Sequence, residues 1–392
     1  MKSFSESFPW INFRLDLTKA SPHFWMLLGE AQSKCEHISG VPLRPSTAEE
    51  LHQIYLAKGV LATTAIEGNT LSLDEVKKRI AGKLELPPSK EYLGQEIDNI
   101  VTACNAIASL INDVDIFSIK KESIKKYNQY VLSKLPLDQE IVPGQIRTHE
   151  VGVGRYKAPP ANECERLLER LCHFLNNDFE SINIGSIAGG IMKAIMAHLY
   201  LAWIHPFGDG NGRTARLVEY QILLASGIST PAAHLLSNHY NITRHEYYRQ
   251  LDISSKSGGD VIPFLEYALQ GFIDGLQEQL NIIRDQQWDI VWRNYIHEKF
   301  KDNARATGVR RRRLALDLSL NRKRIAIPKI RQISPRVAEA YAGKSIVALR
   351  RDIAELEQMG LVDKTADGVR ARREIILSFL PRRVDKKTKN KQ

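Results

Sequence analysis

His205-Pro206-Phe207-Gly208-Asp209-Gly210-Asn211-Gly212-Arg213-Thr214-Ala215-Arg216 gathers an imidazole, a carboxylate, a glycine-rich turn and two guanidiniums within twelve residues. The turn lies between two stretches of helical periodicity, 186–203 and 213–227, and opens the second. Glycine accepts positive φ and lets backbone approach a ligand closely. Free N–H groups at a helix start hold anions. Arg213 and Arg216 share a helix face, where two forked guanidiniums can take separate phosphates. Asp209 is a hard oxygen ligand of the kind Mg²⁺ uses beside phosphate oxygens. His205 titrates where it can take a hydroxyl proton at neutral pH. Alone, each feature is more often structural than catalytic, and Phe207 reads as a core anchor. Their joint spacing points to holding and moving a nucleotide phosphate.

Outward from this run the helical period dominates. A helix is predicted over 46–68, with Thr47 and Glu50 at capping-box spacing and Gly68 at the C′ position. Further helices are predicted over 73–82, 91–112, 118–134, 162–177, 243–256 and 261–283, with a separate long helix over about 285–305. Residues 1–45 read as irregular chain with one helix around Pro22 to Cys35. Val151 to Pro160 reads as a short hairpin. The fold class is therefore mainly α.

The run resembles the signature of the Fic (filamentation induced by cAMP) family, His-x-Phe-x-(Asp/Glu)-Gly-Asn-Gly-Arg-x-x-Arg, and matches all eight specified positions. The resemblance implies a Fic helical bundle with a β-hairpin flap. It also implies transfer of AMP from ATP to a hydroxyl side chain of a target protein, with pyrophosphate leaving. Carried over, His205 deprotonates the target hydroxyl and Asp209 holds Mg²⁺ between the α- and β-phosphates. Gly210, Asn211 and Gly212 form the anion hole, with Thr214 beside them. Arg213 steadies the phosphates and Arg216 grips the γ-phosphate.

Thr63-Thr64-Ala65-Ile66-Glu67-Gly68 resembles the family's inhibitory motif, (Ser/Thr)-x-x-x-Glu-(Gly/Asn), placed ahead of the signature as in class II. The resemblance implies that Glu67 pairs with Arg216 and obstructs the γ-phosphate. Read without it, Glu67 is a solvated carboxylate at the negative end of a helix dipole, unfavourable by ~0.3–1 kcal/mol. In some members the same Glu helps water remove AMP, an alternative left open here. Family position sets Val153, Gly154, Arg155 and Tyr156 beside the nucleotide, with 151–160 docking the target by strand addition. A plain exposed hairpin reads equally well. Arg244-x-x-Tyr247-Tyr248-x-x-Leu251 resembles the segment closing the adenine pocket, where an aromatic ring can stack on a purine. One of Tyr247 and Tyr248 is expected in the core.

A length of 392 residues exceeds one ordinary domain. The expected division is 1–112 (with the inhibitory helix 46–68), a core over 113–283, a connecting helix over 284–309, a winged helix-turn-helix over 310–380 and a basic tail over 381–392. From Lys299 onward there are 26 Lys and Arg against 10 Asp and Glu, whereas the rest holds 29 against 35. Such asymmetry indicates a polyanion contact in the C-terminal quarter. Lys344, Arg350 and Arg351 would flank a recognition helix, with Arg370, Arg372 and Arg373 on the wing. DNA and a protein partner both fit this module. The run Arg310 to Arg313 reads as a solvated helix face. The best apolar stretch, Ala194 to Ile204, is shorter than a membrane span, so no membrane partner is expected. The polar N-terminus and four scattered cysteines suit a cytoplasmic protein. Self-modification and a homo-oligomer stay open. The alternative functions are a nucleotide-sensing DNA-binding regulator and a Fic enzyme using another donor. Intact His205 and Asp209 favour the adenylyltransferase.

Overall fold

The computed structural model describes residues 8–112, 118–153, 156–179, 186–321 and 323–377. The predicted tail 381–392 lies outside them, as do Gly154, Arg155 and the side chain of Val153. The chain divides into two compact units, Met1–Leu280 and Asn281–Gln392, so residues on both sides of the 112/113 division pack in one unit.

In chain order the helices of the first unit are α1 (Pro22–Gly40), α2 (Pro45–Ala65), α3 (Leu73–Ile80), α4 (Glu91–Asn112), α5 (Lys121–Val131), α6 (Ala161–His173), α7 (Ser186–Ile204) and α8 (Asn211–Ala225). They continue as α9 (Thr230–Ala233), α10 (Leu235–Ile242), α11 (Arg244–Lys256) and α12 (Ile262–Lys299). A two-residue antiparallel hairpin, β1 (Gly152–Val153) and β2 (Tyr156–Lys157), precedes α6.

Helices α7 and α8 form the centre. Ile191, Met192, Ile195, Met196 and Leu199 of α7 are fully buried, as a helix apolar on all sides must be. Helices α1 and α6 cover α7, while α2, α4 and α5 cover α8. The span Ile187–Ile204 is long and apolar enough to cross a membrane, longer than the predicted 194–204 because one lysine, Lys193, does not offset its apolar neighbours. Here 78% of it is buried inside the protein, the pattern of a core helix.

Two predicted helix boundaries and one predicted cap move. Helix α2 starts at Pro45, not at a Thr47 cap. Arg44 precedes it without a side-chain cap, and Thr47 is buried in the first turn. Proline's fixed φ suits that first helical position. The capping box forms instead at Ser72 and Glu75, opening α3. The predicted helices 261–283 and 285–305 are one helix, α12, because 281–286 holds neither glycine nor proline. The division between the units falls within it.

The second unit continues with α13 (Ala306–Leu318), α14 (Pro335–Tyr341), α15 (Ile346–Gln358) and a hairpin of β3 (Val362–Thr365) and β4 (Gly368–Ala371). Ile325 adds a bridge to Val369. Ser334 and Ser345 cap α14 and α15 through their hydroxyls. Trp292, Phe300, Leu314, Val337, Leu349 and Ile353 belong to its core. Arg310 and Arg311 of the arginine run are not solvated. Asp352 is fully buried and accepts from Arg310 Nε (2.7 Å), Arg311 Nε (2.9 Å) and Tyr341 Oη (3.0 Å). A buried carboxylate requires such partners. Arg373, predicted on the wing, turns inward to Asp289 at 2.7 Å.

Candidate functional site

The loop between α7 and α8 is held from inside. Asn211 accepts from Phe207 N and donates to Phe207 O, both at 2.8 Å. Its side chain therefore locks the turn, and only its backbone can meet a ligand. Gly210 has φ +74°, which a side chain would strain. Asn128 of α5 donates to Asp209 O at 2.9 Å, and Arg147 donates to His205 O at 2.9 Å. His205 itself has φ +49°, a conformation uncommon outside glycine. The packed loop imposes it.

Arg213 leaves the first turn of α8 to reach Glu96 of α4 at 2.7 Å and Asp209 at 3.2 Å. Arg216, one turn on, is 2% exposed. Its Nη2 donates to Glu67 Oε1 at 2.5 Å and to Thr63 O at 2.9 Å. Its Nε and Nη1 are buried without a hydrogen-bond partner, where a lost hydrogen bond to a charged group costs most. Glu67 follows α2 at a turn closed by Gly68, φ +107°. A Cβ at Gly212 would fall 2.2 Å from Glu67 Oε1, so a side chain there would displace the carboxylate from its present place. Desolvation disfavours ionised Glu67, but the charge and hydrogen bond of Arg216 outweigh it and hold its carboxyl below the usual range.

Part of this set opens on a cavity of about 460 Å³, whose lining does not include Asp209, Gly210, Asn211 or Arg213. Glu67, His205, Gly212 and Arg216 line its polar end, and Tyr156, Tyr247 and Tyr248 line it with Trp203, Leu251 and Ser255. Tyr247 is buried, and its hydroxyl meets His198 Nε2 at 2.9 Å. Tyr248 is 39% exposed. Behind Tyr247, burial pushes Glu219 up to about 8, although Tyr240 donates to it at 2.9 Å. Thr214 differs from expectation. It is buried, meets Asn128 Nδ2 through its hydroxyl (3.3 Å), bonds Gly210 O through its N–H, and is not among the residues lining the cavity.

Residues 110–223 match the Fic/DOC family. This segment is similar to Fic domains. The protein adenylyltransferase fic-1 of Caenorhabditis briggsae is 29% identical over 234 residues, 59% of this chain and 43% of that protein. The protein adenylyltransferase Fic of Drosophila yakuba is 30% identical over 233 residues, 59% of this chain and 42% of that protein. The chain thus spans less than half the length of these curated relatives. A Fic family protein from Desulfovibrio desulfuricans G20 shares the fold, with a TM-score of 0.56 over 90% of this chain and 94% of its own at 21% identity. A fragment of Fic-1 from C. elegans superposes with a TM-score of 0.54 at 26% identity, over 67% of this chain and 73% of its own.

Several residues that hold the loop between α7 and α8 in place were not legible in the sequence. Glu96 ties Arg213 to Asn69, whose amide donates to Glu96 at 2.8 Å and to Leu93 O at 3.0 Å. The turn after Glu67 and the loop arginine therefore share one carboxylate. Asn128 and Arg147 hold the loop from helix α5 and from the segment before the hairpin. None of the four stands in a motif, and only their distant partners reveal them.

Proposed function

We propose that this protein is an autoinhibited adenylyltransferase that moves AMP from ATP to a hydroxyl side chain of a target protein. The supporting observation is Arg216, a buried guanidinium at the cavity with one nitrogen paired to Glu67 and two without partners. Unspent charged donors at a cavity suit phosphate oxygens. In the resting state Glu67 takes the nitrogen that a terminal phosphate needs. Once Glu67 withdraws, Arg216 binds the γ-phosphate and the N-terminus of α8 receives the phosphates nearer the base. Tyr247 and Tyr248 flank the base.

His205 Nδ1 lies 3.4 Å from Ala202 O, which favours the proton on Nδ1 and leaves Nε2 basic. Nε2 takes the proton as the hydroxyl oxygen attacks the α-phosphorus. The bond to the α–β bridging oxygen breaks, and pyrophosphate leaves with that electron pair. Positioning and charge stabilisation do most of the work. Asp209 is the residue that would hold Mg²⁺, whose charge would offset that of the phosphates. Its carboxylate is 46% exposed, and Mg²⁺ is commonly held by one or two carboxylates together with substrate phosphates and water. The target chain docks along the hairpin at 151–160. The test is transfer of labelled AMP by Glu67→Gly beside Glu67→Gly/His205→Ala, scored on added protein and on the enzyme itself.

Desolvation holds His205 below its ordinary value of 6.5, opposed by Ala202 O and the Glu67 charge. A lowered value keeps the imidazole neutral, and so basic, as pH falls through 6.5. Removing Glu67 takes away a raising influence and lowers it further. For Glu67→Gly, the acid limb of kcat/KM should be centred below pH 6.5. A limb centred above 6.5 would mean that another group is the base.

The second unit binds duplex DNA on this reading, through the start of α15. There Lys344, Arg350 and Arg351 are exposed beside Val347, itself 66% exposed. Arg310, Arg311 and Arg373 are engaged internally and contribute little. Binding of the full chain to a labelled duplex should weaken steeply with salt, and replacing Arg350 and Arg351 by alanine should lower the log–log slope by about 2. No binding at low salt would leave α15 as a protein-docking face.

A further inference from the structure

The residues ahead of α1 lie against the cavity walls. Phe13, φ +51°, stacks on buried Tyr200 of α7 with ring centroids 4.9 Å apart. Tyr200 Oη donates to Asn12 Oδ1 at 3.1 Å and accepts from Arg14 N at 3.1 Å. Asn12 donates onward to Gly258 O at 3.4 Å. A Cβ at Gly259, φ +91°, would fall 2.6 Å from Trp10 O. The strap 8–14 is thus seated on the turn that ends α11, the helix carrying Tyr247, Tyr248 and Leu251.

From that seat Trp10 reaches across to the hairpin. Its indole Nε1 donates to Tyr156 Oη at 3.2 Å, with the two rings edge-on at 6.2 Å. Tyr156 Oη in turn donates to Trp203 O at 2.6 Å, two residues ahead of His205. The hairpin pairs only two residues per strand, and an isolated hairpin of any length is marginal in water. Something outside it must hold Tyr156 against the cavity. The phenol is placed between an acceptor on the loop side and a donor from the strap, so each of its hydrogen-bonding roles has one partner.

We propose that Trp10 is a positioning residue of the site. It holds β2 through Tyr156, so that the N-terminal strap, the hairpin and the turn after α11 act as one frame for the nucleotide. The inference rests on the reading above for what the cavity binds, but the frame itself is testable without it. The variants are Trp10→Phe, which keeps a ring and loses the N–H, and Tyr156→Phe, made in full-length Glu67→Gly. In Trp10→Phe, exchange of backbone amides in a peptide covering 150–158 should accelerate about 2- to 10-fold, the factor for one ordinary hydrogen bond. KM for ATP should rise by a similar factor, about 2- to 10-fold, with kcat within about twofold. Exchange in α7 and α8 should be unchanged. The double variant should be no faster-exchanging than Tyr156→Phe alone, since both remove the same contact. Hairpin exchange unchanged in Trp10→Phe, or additive in the double variant, would overturn the proposal. If no AMP transfer occurs at all, the exchange results still decide the frame, and the enzyme reading fails separately.

Discussion

In the Glu67→Gly background, His205→Ala is expected to lower AMP transfer about 10²- to 10⁴-fold, the usual contribution of one positioned general base. Three features set this size. His205 lines the cavity together with Arg216. Its backbone is held at φ +49° by a loop that Asn211 and Arg147 lock, so the ring is placed before substrate arrives. Burial favours its neutral form, the form that accepts a proton. Nucleotide affinity should change little, because phosphate contacts come from Arg216 and the start of α8. The check is transfer kinetics with labelled ATP beside direct nucleotide binding. Unchanged transfer would remove His205 from the chemistry. Transfer and affinity lost together would mean that it holds the loop and does not act as a base.

Releasing the clamp should act in the opposite direction. Glu67→Gly is expected to raise transfer about 5- to 150-fold, the range for a coupling of ~1–3 kcal/mol between two sites. The pair meets at 2.5 Å with Arg216 buried, so the lone carboxylate competes with a phosphate group for one guanidinium nitrogen. Glu67→Gln separates charge from bulk. If charge pairing is the block, Glu67→Gln should free most of the activity. If the side chain obstructs by volume over Gly212, where a Cβ would already collide with it, only Glu67→Gly should. Equal turnover for all three proteins would end the autoinhibition reading. Stability bears on the interpretation, since Arg216 without Glu67 keeps only the Thr63 carbonyl at Nη2. A modest fall in Tm beside rising activity is the expected pattern.

Helix positions were largely legible because apolar spacing dictates which face is buried. The predicted 91–112 and 186–203 agree with Glu91–Asn112 and Ser186–Ile204 to within a residue. Helix ends were less so. Thr47 and Glu50 have capping-box spacing, but Pro45 opens the helix first and Thr47 is needed inside. Arg310 and Arg311, the first half of the arginine run, misled for another reason. Charge in sequence resembles solvation until a buried partner, Asp352, is seen in place.

By itself the sequence determined that the chain is mainly helical and that an imidazole, a carboxylate and two arginines lie within twelve residues of one another. Residues that close along the chain share a loop and a helix face whatever the rest does. Only the tertiary structure decided which partners they meet. It brought Glu67 onto Arg216 across 149 positions, drew Arg213 away to Glu96, turned Thr214 inward, and set Trp10 against Tyr156. These contacts depend on how helices from distant parts of the chain bury their apolar faces around α7 and α8. No local spacing encodes that.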